Sequence, residues 1–132
     1  MPDSLTIGQN FIDAWLAQDA KRVMSLVADD GDVYIVPPFP GTPPEFHGKE
    51  QIEMFVNGFI QGFHGEFDKL AADGNKVTFY GRLTADGVKA AGIDEVDQND
   101  ELVLVDGKVK TFTIRFTPET IEKLNKITPP QR

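Results

Sequence analysis

Cysteine is absent from this chain, and serine occurs only as Ser4 and Ser25. The absence of cysteine excludes disulfides and thiolate metal sites and suits a reducing compartment, so we expect a cytoplasmic protein. Neither serine lies in the strand–turn–helix setting of a hydrolase nucleophile, which argues against a serine hydrolase.

Positive charge is also scarce. Thirteen Lys and Arg residues stand against 21 Asp and Glu residues, which gives a formal net charge of −8. Phosphate backbones and anionic lipid surfaces are repelled by such a chain, so we expect neither nucleic acid nor a membrane as a partner. No apolar run approaches the ~18 residues of a membrane span, and the first residues lack the pattern of a signal peptide.

Histidine is limited to His47 and His64, which are too far apart for the i, i+4 pair of a zinc site. The acidic stretch 94–101 resembles part of a calcium loop. However, Leu102 stands where such a loop needs glycine, and Lys108 stands where it needs a bidentate acid. A glycine-rich phosphate loop is missing as well. We therefore expect no metal and no cofactor.

Apolar periodicity predicts helices in the first half of the chain, over residues 4–18, over a short segment around residues 20–27, and from about Lys49 to Phe63. The second half contains strand-like runs. Asp106-Gly107 is a strong hairpin signal between 102–105 and 108–116, and a helical turn capped by Asp86 is expected before Gly92. Thr117-Pro118 predicts the start of a short C-terminal helix.

This order predicts an α+β fold in one domain over residues 1–132, with N-terminal helices on a mostly antiparallel sheet. It resembles the nuclear transport factor 2-like superfamily, which includes SnoaL-like cyclases, ketosteroid isomerases and limonene-epoxide hydrolases. The resemblance is carried by the stretch 26–35, the stretch 46–52 and the hairpin at 106–109. It implies a cystatin-like cone, in which a strongly curved sheet wraps the long helix around a pocket, and it implies a homodimer.

The catalytic residues of these relatives match only in part. The general base of ketosteroid isomerases falls near Ile35, and the base of the cyclases falls near Ile114. The hydrogen-bond-donating aspartate of the isomerases has a counterpart in Asp100-Glu101. Limonene-epoxide hydrolases place a tyrosine at Tyr34 and an arginine near Arg82, but their two aspartates fall near Thr84 and Ile114.

We expect Asp100, Tyr34 and Arg82 to be the catalytic side chains, with Tyr80 nearby. A carboxyl in an apolar cone should have a raised pKa and donate or shuttle a proton. Strand alternation leaves two choices open. Asp100 and Glu101 each share a face with apolar residues, and Arg82 points outward if the apolar residues of its strand point inward.

The remaining ligand-binding candidates are hydrophobic. They are Trp15, Phe39, Phe46, Phe55, Phe59, Phe63, Phe112 and Ile114. Phe39 and Phe46 belong to the loop 36–48, which holds five of the nine prolines. Proline stiffens such a loop without hydrogen bonds. The loop is therefore either a rigid rim over an apolar ligand or a structural crossover.

The sequence favours a small-molecule enzyme that acts on a largely apolar substrate by acid–base chemistry, as an isomerase, dehydratase, cyclase or epoxide hydrolase. A non-catalytic ligand carrier of the same fold is the alternative, and the missing family carboxylates favour it. A dimeric protein-interaction domain is a third reading.

Overall fold

The computed structural model describes residues 3–38 and 42–127. Its helices are α1 (Ser4–Leu16), α2 (Ala20–Ser25), α3 (Gly48–Ile60), α4 (Asp86–Ala90) and α5 (Pro118–Lys126). Its strands are β1 (Val27–Val36), β2 (Glu45–His47), β3 (His64–Asp73), β4 (Lys76–Thr84), β5 (Val96–Val105) and β6 (Lys108–Phe116). None of the described helices combines the length and apolar character needed to cross a bilayer.

Capping residues account for where two helices, α1 and α5, begin. The Asp3 side chain accepts a hydrogen bond from the Thr6 amide at 2.8 Å and caps α1. Thr117 caps α5 in the same way, and Pro118 occupies its first position, where a missing N–H costs no hydrogen bond. The start predicted for the C-terminal helix is therefore confirmed.

One mixed sheet of six strands organises the molecule, in the order β2-β1-β6-β5-β4-β3. Only the β1–β6 pair is parallel among these neighbours. Asp106 and Gly107 have φ of 52° and 77°, the two positive values that a tight hairpin turn of this hand requires. The predicted β5–β6 hairpin and the α+β class are confirmed.

The sheet curves because three of its strand pairs are irregular. Register shifts occur in β1 between Val27 and Asp32, in β3 between Asp68 and Ala71, and in β6 at Lys110, which has no partner between Val103 and Leu104 of β5. Such bulges bend a strand and increase its twist. Helices α1 and α3 pack on one side of the curved sheet, which we call the inner face; the opposite side is the outer face.

Several predicted boundaries differ from the structure. Helix α3 ends at Ile60 rather than Phe63, because the following turn runs through Gly62 at a φ of 69°. The cap position of α4 is held by Ala85, not by Asp86, which is the first helical residue. Strands β2 and β3 were not predicted. β2 is three residues long, and β3 has no buried residue to mark it.

A pair of glycine substitutions tests how closely α1 approaches the sheet. A Cβ at Gly8 would lie 2.7 Å from Cγ1 of Val77, whose side chain is fully buried, whereas a Cβ at Gly58 of α3 would meet no atom within 4 Å. Both Gly→Ala changes gain the same helix propensity, about 1 kcal/mol. We expect Gly8→Ala to unfold more readily than Gly58→Ala by about 1–3 kcal/mol because of overpacking. Chemical denaturation measures both, and equal free energies of unfolding would contradict the close approach.

Candidate ligand cavity

An apolar cavity lies between the inner face of the sheet and the helices. The volume of the cavity is about 60 Å³. The interior is therefore hollow but narrow. Seventeen residues line it: Phe11, Ile12, Trp15, Ile35, Phe55, Phe59, Phe63, Phe67, Phe79, Leu83, Val88, Val96, Gln98, Asp100, Phe112, Ile114 and Phe116.

Two phenylalanines mark the mouth, because Phe59 and Phe67 are the lining residues that are only partly buried. The Phe67 ring stacks on Phe63 with 6.1 Å between centroids and meets Phe79 edge-on at 5.7 Å. Across the strand it lies over Gly81, where a Cβ would come within 2.5 Å of the ring. The Phe67 ring can lie beside the opening because residue 81 is a glycine and has no Cβ.

Asp100 is the one titratable side chain among the described residues that line the cavity. Strand β5 buries every second residue, and this alternation turns Asp100 inward together with Gln98 and Leu102. Its neighbours on the adjacent strands are Phe79 and Ile114. The residue is 3% exposed, and loss of hydration raises the pKa of its carboxyl to about 8.

Gln98 is the hydrogen-bonding partner of this carboxyl. Its Nε2 donates to Oδ1 at 2.9 Å and to Oδ2 at 2.8 Å, and it is itself 5% exposed. These bonds favour the carboxylate and so lower the pKa of Asp100, but the effect of burial is the larger one. Asp100 is therefore largely protonated at neutral pH, as an acid whose anion already has a donor in place.

Six of the predicted ligand-binding residues line the cavity: Trp15, Phe55, Phe59, Phe63, Phe112 and Ile114. Phe46 does not. It pairs with Val33 across β1 and β2 and packs in the core against Phe55, at 5.2 Å between ring centroids, so its predicted place on a rim over the ligand is wrong. Phe39 lies outside the described residues.

The other polar candidates lie on the outer face, and their predicted entry into the pocket is wrong. Tyr80 and Arg82 alternate with the buried Phe79 and Leu83, so strand geometry turns them outward. The guanidinium Nε of Arg82 pairs with Asp97 at 3.1 Å, and Lys69 Nζ lies 5.3 Å from the Tyr80 ring centroid.

Tyr34 is turned outward in the same way, between the buried Val33 and Ile35. Its ring lies 5.9 Å from that of His47. His47 Nδ1 is 2.7 Å from Asp32 and Nε2 is 2.8 Å from Glu45; these two hydrogen bonds raise the pKa of the imidazole. Within residues 3–38 and 42–127, no group of three or more His, Cys, Asp or Glu side chains is placed to hold a metal ion.

Sequence reasoning did not single out Gln98 or Phe67. Gln98 shares the strand face of Asp100, and this spacing of two residues could have identified it. For Phe67, the signal is its register partner Gly81, which is visible only once β3 and β4 are paired.

The raised pKa of Asp100 predicts that the stability of the protein depends on pH. An unfolded Asp100 ionises near 3.8, but the folded protein holds the proton until about pH 8. The folded state binds this proton more tightly than the unfolded state does. The resulting contribution to the free energy of unfolding is complete below pH 3.8 and is lost as the pH rises toward 8. We expect Asp100→Asn to become progressively more stable than the wild type across this window, by up to about 1.4 kcal/mol per pH unit.

Chemical denaturation at the two ends and in the middle of the window measures this difference. Asp94→Asn, on an exposed residue, is the control for the change in net charge. Any contribution of His47 is common to all three proteins and cancels. A pH-independent difference between Asp100→Asn and the wild type would contradict the buried acid.

Comparison with known proteins agrees with this architecture. A protein of unknown function from Cytophaga hutchinsonii, described as NTF2-like, superimposes with a TM-score of 0.72 at 12% identity, covering 92% of this chain and 96% of that one. A protein from Kribbella flavida, proposed to be a ketosteroid isomerase, gives 0.70 at 18% identity, with 98% and 83% covered. TerC, co-crystallised with polyporic acid, gives 0.70 at 14% identity, with 93% and 98% covered.

At these identities the structural likeness establishes the fold. No curated protein is significantly similar in sequence. The sequence profile of the SnoaL-like domain matches residues 9–115, which is most of the chain. The chain therefore belongs to the SnoaL-like domain family, within the NTF2-like superfamily.

Proposed function

We propose that this protein is a small-molecule enzyme that binds a largely apolar substrate in the cavity and transfers a proton to a substrate oxygen from Asp100. The observation that carries the proposal is a single buried carboxyl among described lining residues that are otherwise hydrocarbon, apart from one amide and one indole. A carboxylic acid that stays neutral at pH 7 in an apolar site can donate a hydrogen bond or a proton, a known pattern of catalytic pKa tuning.

The proposed step uses two residues. The protonated Asp100 donates to a carbonyl, hydroxyl or epoxide oxygen, and negative charge develops on its carboxylate. The two hydrogen bonds from Gln98 stabilise that charge, so Gln98 is a positioning residue for the acid. The carboxylate then recovers a proton from the product or from water. Isomerisation, dehydration, cyclisation and epoxide opening all contain such a step.

The lining limits the range of mechanisms. Since the lining within residues 3–38 and 42–127 contains no second titratable side chain, we assign the role of the complementary base to water or to a group of the substrate. Mechanisms that need two or three protein carboxylates are disfavoured. Support for a small-molecule role comes from the family, from a neighbour proposed to be an isomerase, and from a neighbour of the same fold that was co-crystallised with polyporic acid.

A ligand carrier without catalysis is the second candidate, because a lone acid without a partner base also suits simple recognition of an oxygen. The two candidates differ in turnover, because an enzyme converts the bound molecule whereas a carrier releases it unchanged. Homodimer formation and a cytoplasmic location stay predictions.

The pH dependence of activity tests the role of Asp100. With 3-cyclohexenone and styrene oxide as model substrates, we expect kcat/KM to be constant at low pH and to fall about tenfold per pH unit above the pKa of the acid, because the reactive form is the protonated one. Asp100→Asn keeps the shape of the side chain but removes the proton, and we expect activity to drop by about 10²- to 10⁴-fold.

The matched controls are Tyr34→Phe and Arg82→Gln, both on the outer face, which should leave the profile unchanged. Binding of both substrates without turnover would favour the carrier. Activity that survives in Asp100→Asn, or that rises with pH, would remove Asp100 as the acid.

A further inference from the structure

Trp15 carries an unpaired hydrogen-bond donor in the cavity wall. Its side chain is buried at 6% exposure, and its indole Nε1 has no hydrogen-bond partner within the described residues. Buried N–H groups are nearly always paired, so an unpaired one calls for a physical explanation. Trp15 is the only tryptophan of the chain.

Rings surround the indole. The centroids of Phe63, Phe55 and Phe11 lie 5.0, 5.8 and 6.4 Å from that of Trp15. A ring face accepts a hydrogen bond only weakly, so these neighbours hold the indole in place without satisfying its N–H. The donor is fixed by packing and costs little further ordering when an acceptor arrives.

The two polar groups come from different walls. Trp15 projects from α1 on the helix side of the cavity, whereas Asp100 projects from β5 on the sheet side. A protonated Asp100 is also a donor, so each wall contributes one residue with a hydrogen-bond donor. Apart from Gln98, the other described lining residues are hydrocarbon.

We propose that the indole N–H of Trp15 binds an oxygen acceptor of the ligand. The ligand class is then a ring-sized apolar molecule with two oxygen acceptors on opposite edges, one directed at Asp100 and one at Trp15. This inference rests on the proposed function, because it concerns the same cavity. It assigns to Trp15 a role in specificity that is separate from the proton transfer at Asp100.

A matched pair of probes isolates the hydrogen bond. 1,4-Dimethoxybenzene and 1,4-diethylbenzene have nearly the same shape and differ by an ether oxygen in place of a methylene on each side. We expect Trp15→Phe to weaken binding of the dimethoxy probe about 2- to 10-fold more than binding of the diethyl probe, as one neutral hydrogen bond predicts. A loss of packing alone would weaken both probes equally and would overturn the inference.

The wild-type protein provides a second readout that needs no variant. Its single indole N–H gives one ¹H–¹⁵N cross-peak, and an acceptor should shift the proton downfield. We expect this shift with the dimethoxy probe and not with the diethyl probe; the same shift with both, or with neither, would contradict the inference. Failure of both probes to bind would overturn it together with the ligand cavity. If the probes bind and Asp100→Asn abolishes activity, but Trp15→Phe does not discriminate between them, only the role of Trp15 falls.

Discussion

The burial of one carboxyl group in a hydrocarbon-lined hollow is the constraint on which the rest of this structure depends. Asp100 lies on the inner face of β5, where its neighbours are Phe79, Ile114 and the amide of Gln98. Strand alternation fixes this orientation, because a shift by one residue would expose Asp100 and bury Glu101 instead. Bulges in the β3–β4 and β5–β6 pairs bend and twist the same sheet.

Such a carboxyl is unfavourable for folding. Because its pKa is raised in the folded protein, stability falls as the pH rises from 3.8 toward 8. Titratable groups with perturbed pKa values cluster at functional sites, where a group that lowers the stability of the fold takes part in chemistry or recognition. The unpaired N–H of Trp15 has the same character, because a buried donor without a partner among the described residues is unfavourable for folding.

The sequence predicted those parts of the fold that short-range rules determine. The Asp106-Gly107 turn and the start of α5 follow from turn chemistry and capping. Strand alternation alone left Asp100 and Glu101 undecided, and the structure turns Asp100 inward with Gln98 and Leu102. By contrast, β3 contains only exposed and partly buried residues and gives almost no periodic signal. Pairing with β4 is what makes it a strand.

The site itself was harder to predict, because it depends on contacts between distant segments. Tyr34 and Arg82 were placed in the pocket by resemblance, but the parity of β1 and β4 turns both outward, to His47 and to Asp97. From the proline-rich segment we predicted that Phe46 lies on the rim of the pocket. In the structure Phe46 pairs with Val33 and is buried in the core. Neither the isolation of the Trp15 indole nor the fit of Phe67 over Gly81 can be read from local sequence, since each needs the packed cavity.

The ionisation of Asp100 itself is the most direct test of this account. Carboxyl ¹³C NMR of the protein, with the resonance assigned by its loss in Asp100→Asn, gives the pKa without any substrate. The account predicts a titration midpoint at about pH 8. A midpoint near 3.8, the ordinary value of an aspartate, would show that the carboxyl is solvated and would contradict the buried acid.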